Sequence, residues 1–302
     1  AFKHETYELK KLLFLNDVDI SLEQPRNKEE KTDWDNIRQI KHNRLADFVK
    51  DYTLSDWLQL FDSCKLFFAE QGRDGYNLKS NLNELFQIVA YENETLYIDV
   101  LEKYLELGDP FLLNLNMSDL IRIFGKEEAF EFIKKYSFQA QETWLFNLFI
   151  AIDESKITPE DIQTLLKLYK SANFKNMPYH LDYLIKYCNV DENIFLEIMA
   201  VLISRVENED IGFVYTFSII FNPFTEIFKI LDKYMYLDLT LFKKAYLYCL
   251  NSENHFDHDM MAFDKLLNFD VDFVDEYIIH ILNSNDKSIS SHDIHNDFSL
   301  IW

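Results

Sequence analysis

The feature that most constrains the fold is a short apolar pattern that ends in tyrosine and recurs along the chain. Apolar or aromatic residues stand at positions i, i+3 and i+4, and the tyrosine stands at i+7. These four positions lie on one face of an α-helix. The copies are Leu45-Phe48-Val49-Tyr52, Tyr97-Val100-Leu101-Tyr104, Ala129-Phe132-Ile133-Tyr136, Ile162-Leu165-Leu166-Tyr169 and Ile227-Ile230-Leu231-Tyr234, with a looser copy at Tyr183, Leu184 and Tyr187. The pattern predicts a series of similar helices, each burying one face.

Proline marks where some of these helices begin. Asp109-Pro110, Thr158-Pro159 and Asn222-Pro223 each place a capping side chain directly before proline. Proline suits the first helical position because its missing N–H would be unpaired there, and the residue before it accepts a bond from the free amides of the first turn. We therefore expect helices at Pro110–Leu115, Pro159–Ser171 and Pro223–Tyr236.

The spacing of the tyrosines bears on the architecture. Tyr104, Tyr136 and Tyr169 are 32 and 33 residues apart, the length of a two-helix repeat. A long coiled coil is excluded because turns interrupt the periodicity, and the small residues of tetratricopeptide repeats are missing. The chain is therefore expected to be all-α, an irregular right-handed α-solenoid of antiparallel helix pairs with about 15–18 helices. A compact irregular all-α domain is the alternative. If Tyr136 is buried in the repeat stack, Tyr136→Ala should cost about 3 kcal/mol.

Composition shifts suggest three segments. Residues 1–31 are expected to form an N-terminal helix and a polar linker, because the stretch from Asn16 to Lys31 is polar and contains Pro25. Residues 32–284 would form the helical repeat array. Residues 285–302 would be a loosely attached C-terminal segment, because Ser284 to Ser291 is rich in serine. The sequence begins at Ala1 rather than Met, so we expect it to be a fragment or a processed chain.

Net charge limits the partners. The formal charge is −22, which repels nucleic acid phosphates and anionic lipids. The best basic patch, Lys41, His42 and Arg44, is small. We therefore expect no direct nucleic-acid binding and no membrane binding. A solvated acidic face explains the charge simply, and an acidic groove for a basic protein or peptide partner is the sharper alternative.

The cysteines indicate reducing surroundings. Cys64, Cys188 and Cys249 are far apart and lack metal or redox spacing, so each is interpreted as a small buried apolar residue in a cytoplasmic protein. The most apolar run, Phe213 to Phe221, is too short to cross a membrane, and no signal peptide is visible.

One segment has metal-ligand spacing. His255, Asp257, His258 and Asp259 lie within five residues, so His255, His258 and Asp259 would face one ion in a turn. The simpler interpretation is that Asp257 or His258 caps the next helix. His292 to His295 resembles this cluster but lies near the end of the chain.

The remaining candidates have structural interpretations. The acidic runs Glu127-Glu128-Glu131 and Glu207-Glu209-Asp210 are typical of solvated helix faces. The pairs Lys103-Tyr104, Lys135-Tyr136, Lys186-Tyr187 and Lys233-Tyr234 suit helix ends, where lysine complements the dipole and tyrosine packs its ring inward. There is no glycine-rich phosphate loop and no nucleophile elbow. No catalytic residue, cofactor site or metal site is therefore assigned.

The tyrosine-ended helices loosely resemble HEAT and armadillo arrays, and residues 34–283 are similar in style to the C-terminal sensor arrays of bacterial signalling NTPases. That resemblance implies recognition of a ligand or protein that regulates a separate catalytic domain. The first hypothesis is therefore a non-catalytic interaction or sensor module with a protein or peptide partner. The alternatives are a helical metal-dependent hydrolase using His255 to Asp259, and a structural scaffold or homo-oligomer.

Overall fold

The computed structural model describes residues 2–23, 33–71, 75–171, 183–208, 217–218, 220–250, 257 and 260–283. Over these ranges the chain forms 16 α-helices and one short 3-10 helix, and no strand. The predicted all-α class is therefore confirmed. The chain divides into two compact units, residues 1–151 and 152–302.

The first unit contains nine helices. They are α1 Phe2–Leu13, α2 Asp17–Glu23, α3 Trp34–Val49, α4 Leu54–Gln71, α5 Tyr76–Glu92, α6 Glu94–Glu106, α7 Met117–Phe124, α8 Lys126–Lys134 and α9 Gln141–Ala151. Helix α5 contacts α1, α3 and α6, and helices α7, α8 and α9 contact one another.

The second unit contains the remaining seven α-helices of the described ranges. They are α10 Pro159–Ser171, α11 Leu184–Cys188, α12 Ile194–Glu207, α13 Glu226–Leu237, α14 Leu239–Cys249, α15 Met261–Phe269 and α16 Phe273–Asn283, and the 3-10 helix Glu154–Lys156 precedes them. Helix α12 contacts α10, α11 and α14, whereas α14 also contacts α13, α15 and α16.

Side-chain caps start many of these helices. Asp33 accepts a hydrogen bond from the amide of Asn36 at the start of α3. Before α10, Asp161 accepts bonds from both the amide and the hydroxyl of Thr158, and Pro159 occupies the first helical position. The capping residues therefore fix where the apolar faces begin.

The N-terminal helix is tied to the first unit. The side-chain nitrogen Nδ2 of Asn81, in α5, donates to the backbone carbonyl groups of Leu13 and Leu15, each at 2.9 Å. The predicted linker also contains α2, whose Ile20 is buried against Leu15 and Ile37. The sequence did not predict this short helix, because only one of its faces is buried and its composition is therefore mostly polar.

Aromatic side chains fill the core of the first unit. The rings of Phe61 and Phe86 stack with centroids 6.0 Å apart, and Tyr104 lies 5.5 Å from Phe61. Phe111 stacks on Tyr104 at 6.0 Å and on Phe68 at 5.2 Å. Rings from α4, α5 and α6 thus share one core with the segment that follows α6.

The second unit has a comparable aromatic core. Phe263 of α15 lies 4.6 Å from Tyr277 and 5.9 Å from Phe273, both in α16. Phe195 of α12 lies 4.8 Å from Tyr234 of α13. The tyrosines that end the repeated pattern differ in burial. Tyr104, Tyr169, Tyr187 and Tyr234 are buried, whereas Tyr52 and Tyr136 are half-buried.

Two predicted helix starts are wrong. The segment Pro110–Leu115 is irregular, because Asp109 and Leu112 adopt positive φ values of 55° and 52°. Helix α13 begins at Glu226 rather than Pro223, with the Thr225 hydroxyl accepting a hydrogen bond from the amide of Phe228. A proline after a capping residue therefore marked a turn at these two places and a helix only at Pro159.

The cysteines are free thiols. Cys64 and Cys249 are buried, as predicted, whereas Cys188 is partly exposed. Burial raises the pKa of the Cys64 thiol to about 12. Among the helices that the structure describes, none is long and apolar enough to span a membrane.

Candidate interaction surface

Asp257, the described member of the proposed metal cluster, caps a helix. Its carboxylate accepts hydrogen bonds from the Tyr246 hydroxyl and from the backbone amides of Ala262 and Phe263, at 2.9 to 3.1 Å. Burial raises its pKa. Both oxygens are therefore engaged at the start of α15, in agreement with the simpler prediction from sequence.

The other members of the cluster, His255, His258 and Asp259, lie outside the described residues, as do His292 and His295. Among the residues that are described, no three His, Cys, Asp or Glu side chains are grouped to hold a metal ion. The metal site therefore stays an alternative hypothesis.

The small basic patch is neutralised by carboxylates. The Lys41 amine lies 3.4 Å from Glu84 and 3.7 Å from Asp17, and the His42 ring lies 3.2 Å from Glu84. Arg44 pairs with Glu23 at 2.7 Å. The patch therefore presents no uncompensated positive charge for a phosphate backbone.

The acidic runs behave largely as solvated faces. Glu127 and Glu131 have side chains about three-quarters exposed and pair with Lys126 and Lys134. Glu207 pairs with Lys244 at 2.9 Å, while Glu209 and Asp210 lie outside the described residues. Among the described members of these runs, no carboxylate is buried beside another, so these members lack the geometry of a catalytic pair.

The lysines of three Lys-Tyr pairs make contacts outside their own helix. Each lies over the ring of its own tyrosine, at 5.1 Å for Lys135, 5.6 Å for Lys186 and 5.4 Å for Lys233. Lys135 also bonds Glu102, Lys186 bonds the Ile152 carbonyl, and Lys233 pairs with Glu192. Lys103 instead pairs with Glu106 in its own helix. The lysines therefore do more than complement a helix dipole.

Among the described residues of the first unit, Asp109 is the most deeply buried carboxyl group. It is 1% exposed, and its Oδ1 atom accepts bonds from the Tyr104 hydroxyl and the Leu113 amide. Among the described residues its Oδ2 atom has no partner, and burial raises its pKa. Perturbed carboxyls often mark active sites, but this one is sealed within the aromatic core and holds the Pro110–Leu115 segment.

Three helix ends in the second unit share one local geometry. At Asp191, Asp238 and Asp270 the backbone amide donates to the carbonyl four residues earlier, at 2.8 to 3.0 Å. Each aspartate side chain accepts a bond from a backbone amide ahead of it, from Asn193, Leu241 and Asp272 respectively. The aspartates therefore end one helix and turn the chain into the next.

Exposed apolar side chains surround these aspartates. Directly before them stand Val190, Leu237 and Phe269, which are 44%, 52% and 38% exposed. Tyr236 and Val271 are beside them and are 82% and 71% exposed. We name these five residues the helix-end row.

Ion pairs connect the elements that carry the row. Glu192, two residues after Val190, lies 3.4 Å from Lys233, four residues before Leu237. Asp238 caps the start of α14, and Lys243 in the next turn of α14 lies 2.8 Å from Asp270. The C-terminal ends of α13 and α15 therefore meet the same end of α14.

The charge near the row is unbalanced. Residues 226–283 contain eleven acidic residues and five lysines, and no arginine. All five lysines are ion-paired: Lys229, Lys233, Lys243, Lys244 and Lys265. In the part of the chain that the structure describes, Asp264, Asp272 and Asp275 are exposed and have no cationic partner. This segment is therefore acidic, and its lysines are already paired.

Comparison with known proteins leaves the family open. A scan against protein-family models found no match, and neither curated proteins nor solved structures gave a significant match. Any function must therefore be argued from the molecule itself.

The sequence reasoning missed the helix-end row, although a signal was present. An apolar residue directly before aspartate at the end of a helical pattern recurs as Val190-Asp191, Leu237-Asp238 and Phe269-Asp270. The pattern i to i+7 directs attention to the buried face, so the exposed residue beyond it was overlooked.

Proposed function

We propose that this chain is a non-catalytic interaction module that binds a basic protein or peptide along an acidic surface of a helical array. The observation that carries the proposal is the pairing of charges in residues 226–283: every lysine is paired, and the exposed Asp264, Asp272 and Asp275 have no cationic partner among the described residues. Such a face attracts cationic partners and repels phosphate groups.

The proposed array is an α-solenoid of helix pairs in each unit. Hydrogen bonds join residues about one helix pair apart: Tyr136 to Glu102, Lys186 to Ile152, Arg205 to Tyr169 and Lys265 to Asp232 are separated by 33 to 36 residues. Recurring separations of this kind support repeats that contact their sequence neighbours. A solenoid would offer an extended surface rather than a closed pocket.

The chemistry of the candidate groups supports binding over catalysis. Asp109 is sealed in the core and Asp257 is consumed by a helix cap, so neither carboxyl faces a cleft. The acidic surface, by contrast, has aspartates that no internal cation uses. We propose a cytoplasmic role in which a partner's lysine or arginine residues supply the missing charge.

The test is affinity capture followed by measurement with purified components. The full chain is immobilised and exposed to a lysate of its source cells, and recovered proteins are identified by mass spectrometry. Each candidate is then purified and titrated by calorimetry at low and moderate salt. We expect a partner whose contact segment is rich in lysine or arginine and whose affinity falls as salt rises.

A matched bait gives the control. The triple variant Asp264→Asn, Asp272→Asn and Asp275→Asn keeps side-chain size and removes the uncompensated charge. Proteins captured equally by both baits are background. The proposal fails if no purified candidate binds, or if binding is equal for both baits and insensitive to salt.

A further inference from the structure

We infer that the helix-end row is the contact surface of the second unit, and that its occupant is a protein segment in which lysine or arginine residues flank apolar or aromatic side chains. The row joins Val190, Tyr236, Leu237, Phe269 and Val271 at three helix ends. This inference rests on the proposed function and names the surface and the chemistry of the partner.

The apolar side chains of the row are exposed, although neighbouring aromatic side chains are buried. Tyr236 is 82% and Val271 71% exposed, whereas the neighbouring Tyr234 and Phe273 are buried. Single exposed apolar residues are ordinary, but several gathered at one end of a helix group mark a contact surface. Apolar side chains of a partner would remove this surface from water.

The repetition of the feature strengthens the argument. At all three ends an exposed apolar residue stands before an aspartate whose side chain fixes the turn. The ion pair of Glu192 with Lys233 and that of Lys243 with Asp270 keep the ends adjacent. The surface is therefore held by cross-helix contacts and is available without rearrangement.

The charges beside the row favour a basic partner. Asp272 directly follows Val271, and Asp275 lies four residues after Val271. Neither has a cationic partner among the described residues, whereas Lys243 is already bonded to Asp270 and Glu276. A purely apolar occupant would leave these carboxylates without compensation, and an acidic one would be repelled. A segment with lysine or arginine beside its apolar residues satisfies both halves of the surface.

The experiment begins with a random twelve-residue peptide library displayed on phage and selected on the immobilised full chain. The most enriched peptide is synthesised with a fluorescent label and titrated by anisotropy. We expect enriched peptides to combine lysine or arginine with leucine, phenylalanine or tryptophan.

Two variants test the row and two serve as controls. Leu237→Ser and Val271→Ser each remove one exposed apolar contact, and we expect each to weaken the peptide by about tenfold. Leu22→Ser and Leu66→Ser remove side chains of similar exposure in the first unit, 68% and 67%. We expect these controls to leave the affinity unchanged. Asp272→Asn should weaken binding by a smaller factor and reduce its dependence on salt.

The outcomes separate the two claims. Peptides that contain both basic and apolar residues, and that bind equally to Leu237→Ser, Val271→Ser and the wild type, would contradict the assignment of the row as the contact surface. They would leave the proposed function standing. Enriched peptides that lack basic residues, or that bind without salt dependence, would overturn the proposed function itself. Circular dichroism of each variant verifies that the helices are intact.

Discussion

The hydroxyl group of Tyr104 donates a hydrogen bond to the carboxylate of Asp109 inside the core of the first unit. The same carboxylate oxygen accepts the amide of Leu113, so one side chain connects the end of α6 to the irregular segment beyond it. Asp109 has a φ of 55°, and its second oxygen lacks a partner. The local conformation is therefore unfavourable and is maintained by the surrounding aromatic packing.

Asp109→Asn should change how stability depends on pH. Burial raises the pKa of Asp109 above its ordinary value of 3.8, so the folded chain holds this proton more tightly than the unfolded chain. The stability due to the protonated carboxyl is fully present below the unfolded pKa and is lost as pH rises through the folded pKa. The asparagine variant lacks this loss.

Urea unfolding followed by tryptophan fluorescence, from below pH 3.8 to mildly alkaline pH, measures the effect. We expect the free energy of unfolding of the wild type, minus that of the variant, to fall with rising pH by about 1.4 kcal/mol per unit of pKa shift. A difference that is constant across this range contradicts the assignment of a raised pKa.

Leu112→Gly should stabilise the first unit. Leu112 has a φ of 52°, in the left-handed region where a side chain costs energy, and it is 46% exposed. Removing the side chain should raise the free energy of unfolding by about 1 kcal/mol. Leu107→Gly is the control, because Leu107 is similarly exposed but has a φ of −79°. That change should lower stability by up to about 1 kcal/mol.

Sequence periodicity was sufficient to predict a helix where that helix is stabilised by its own buried face and its own cap. Helix α10 runs from Pro159 to Ser171, as predicted, because Thr158 and Asp161 cap it locally and Ile162, Leu165 and Leu166 face the core. These determinants lie within one helix and are visible in one stretch of sequence.

Distant contacts explain the failures. The segment Pro110–Leu115 carries a helix-start signal, yet Tyr104 bonds Asp109 and the Trp144 indole donates to the Leu113 carbonyl from 31 residues away. The helix-end row has the same difficulty, because local sequence does not reveal that Lys243 brings Asp270 beside the start of α14. Burial and adjacency of this kind arise only when separate helices pack.

Tyr104→Ala and Tyr136→Ala should differ, although the sequence pattern treats the two tyrosines alike. Tyr104 is fully buried among aromatic rings, so its truncation should cost about 4 kcal/mol. Tyr136 is half-buried, lies 5.4 Å from Phe132, and donates to Glu102 at 3.1 Å. Its truncation should cost about 1 to 2 kcal/mol, less than the 3 kcal/mol that burial in a repeat stack would give. Equal losses in urea unfolding would contradict this ranking.

Lys243→Met should destabilise the second unit more than Lys229→Met. Burial of Lys243 opposes its charged form, but hydrogen bonds to Asp270 and Glu276 outweigh burial and raise its pKa. Its amine also lies 5.3 Å from the centre of the Phe273 ring, and methionine replaces that contact with an apolar one. Losing the amine leaves two carboxylates uncompensated and should cost about 1 to 2 kcal/mol.

Lys229 provides the comparison because it pairs with Glu226 within one exposed helix turn. Its replacement should change the free energy of unfolding by less than about 0.5 kcal/mol. Thermal unfolding of both variants, read by circular dichroism, tests the ranking. Equal shifts in Tm would indicate that the amine of Lys243 contributes no more than a surface pair.

Asp257→Ala separates the capping role of this residue from the metal hypothesis. Its carboxylate bonds Tyr246, Ala262 and Phe263, so its loss leaves buried donors unpaired at the start of α15 and should cost about 2 to 3 kcal/mol.

If the role is capping alone, excess EDTA leaves the Tm of the wild type unchanged, and Asp257→Asn, which keeps one acceptor oxygen, recovers part of the loss. If His255, His258 and Asp259 instead hold an ion with Asp257, EDTA lowers the wild-type Tm toward that of Asp257→Ala, because bound metal stabilises the folded chain. Since Asp257 already directs its oxygens toward a hydroxyl and two amides, we expect the first result.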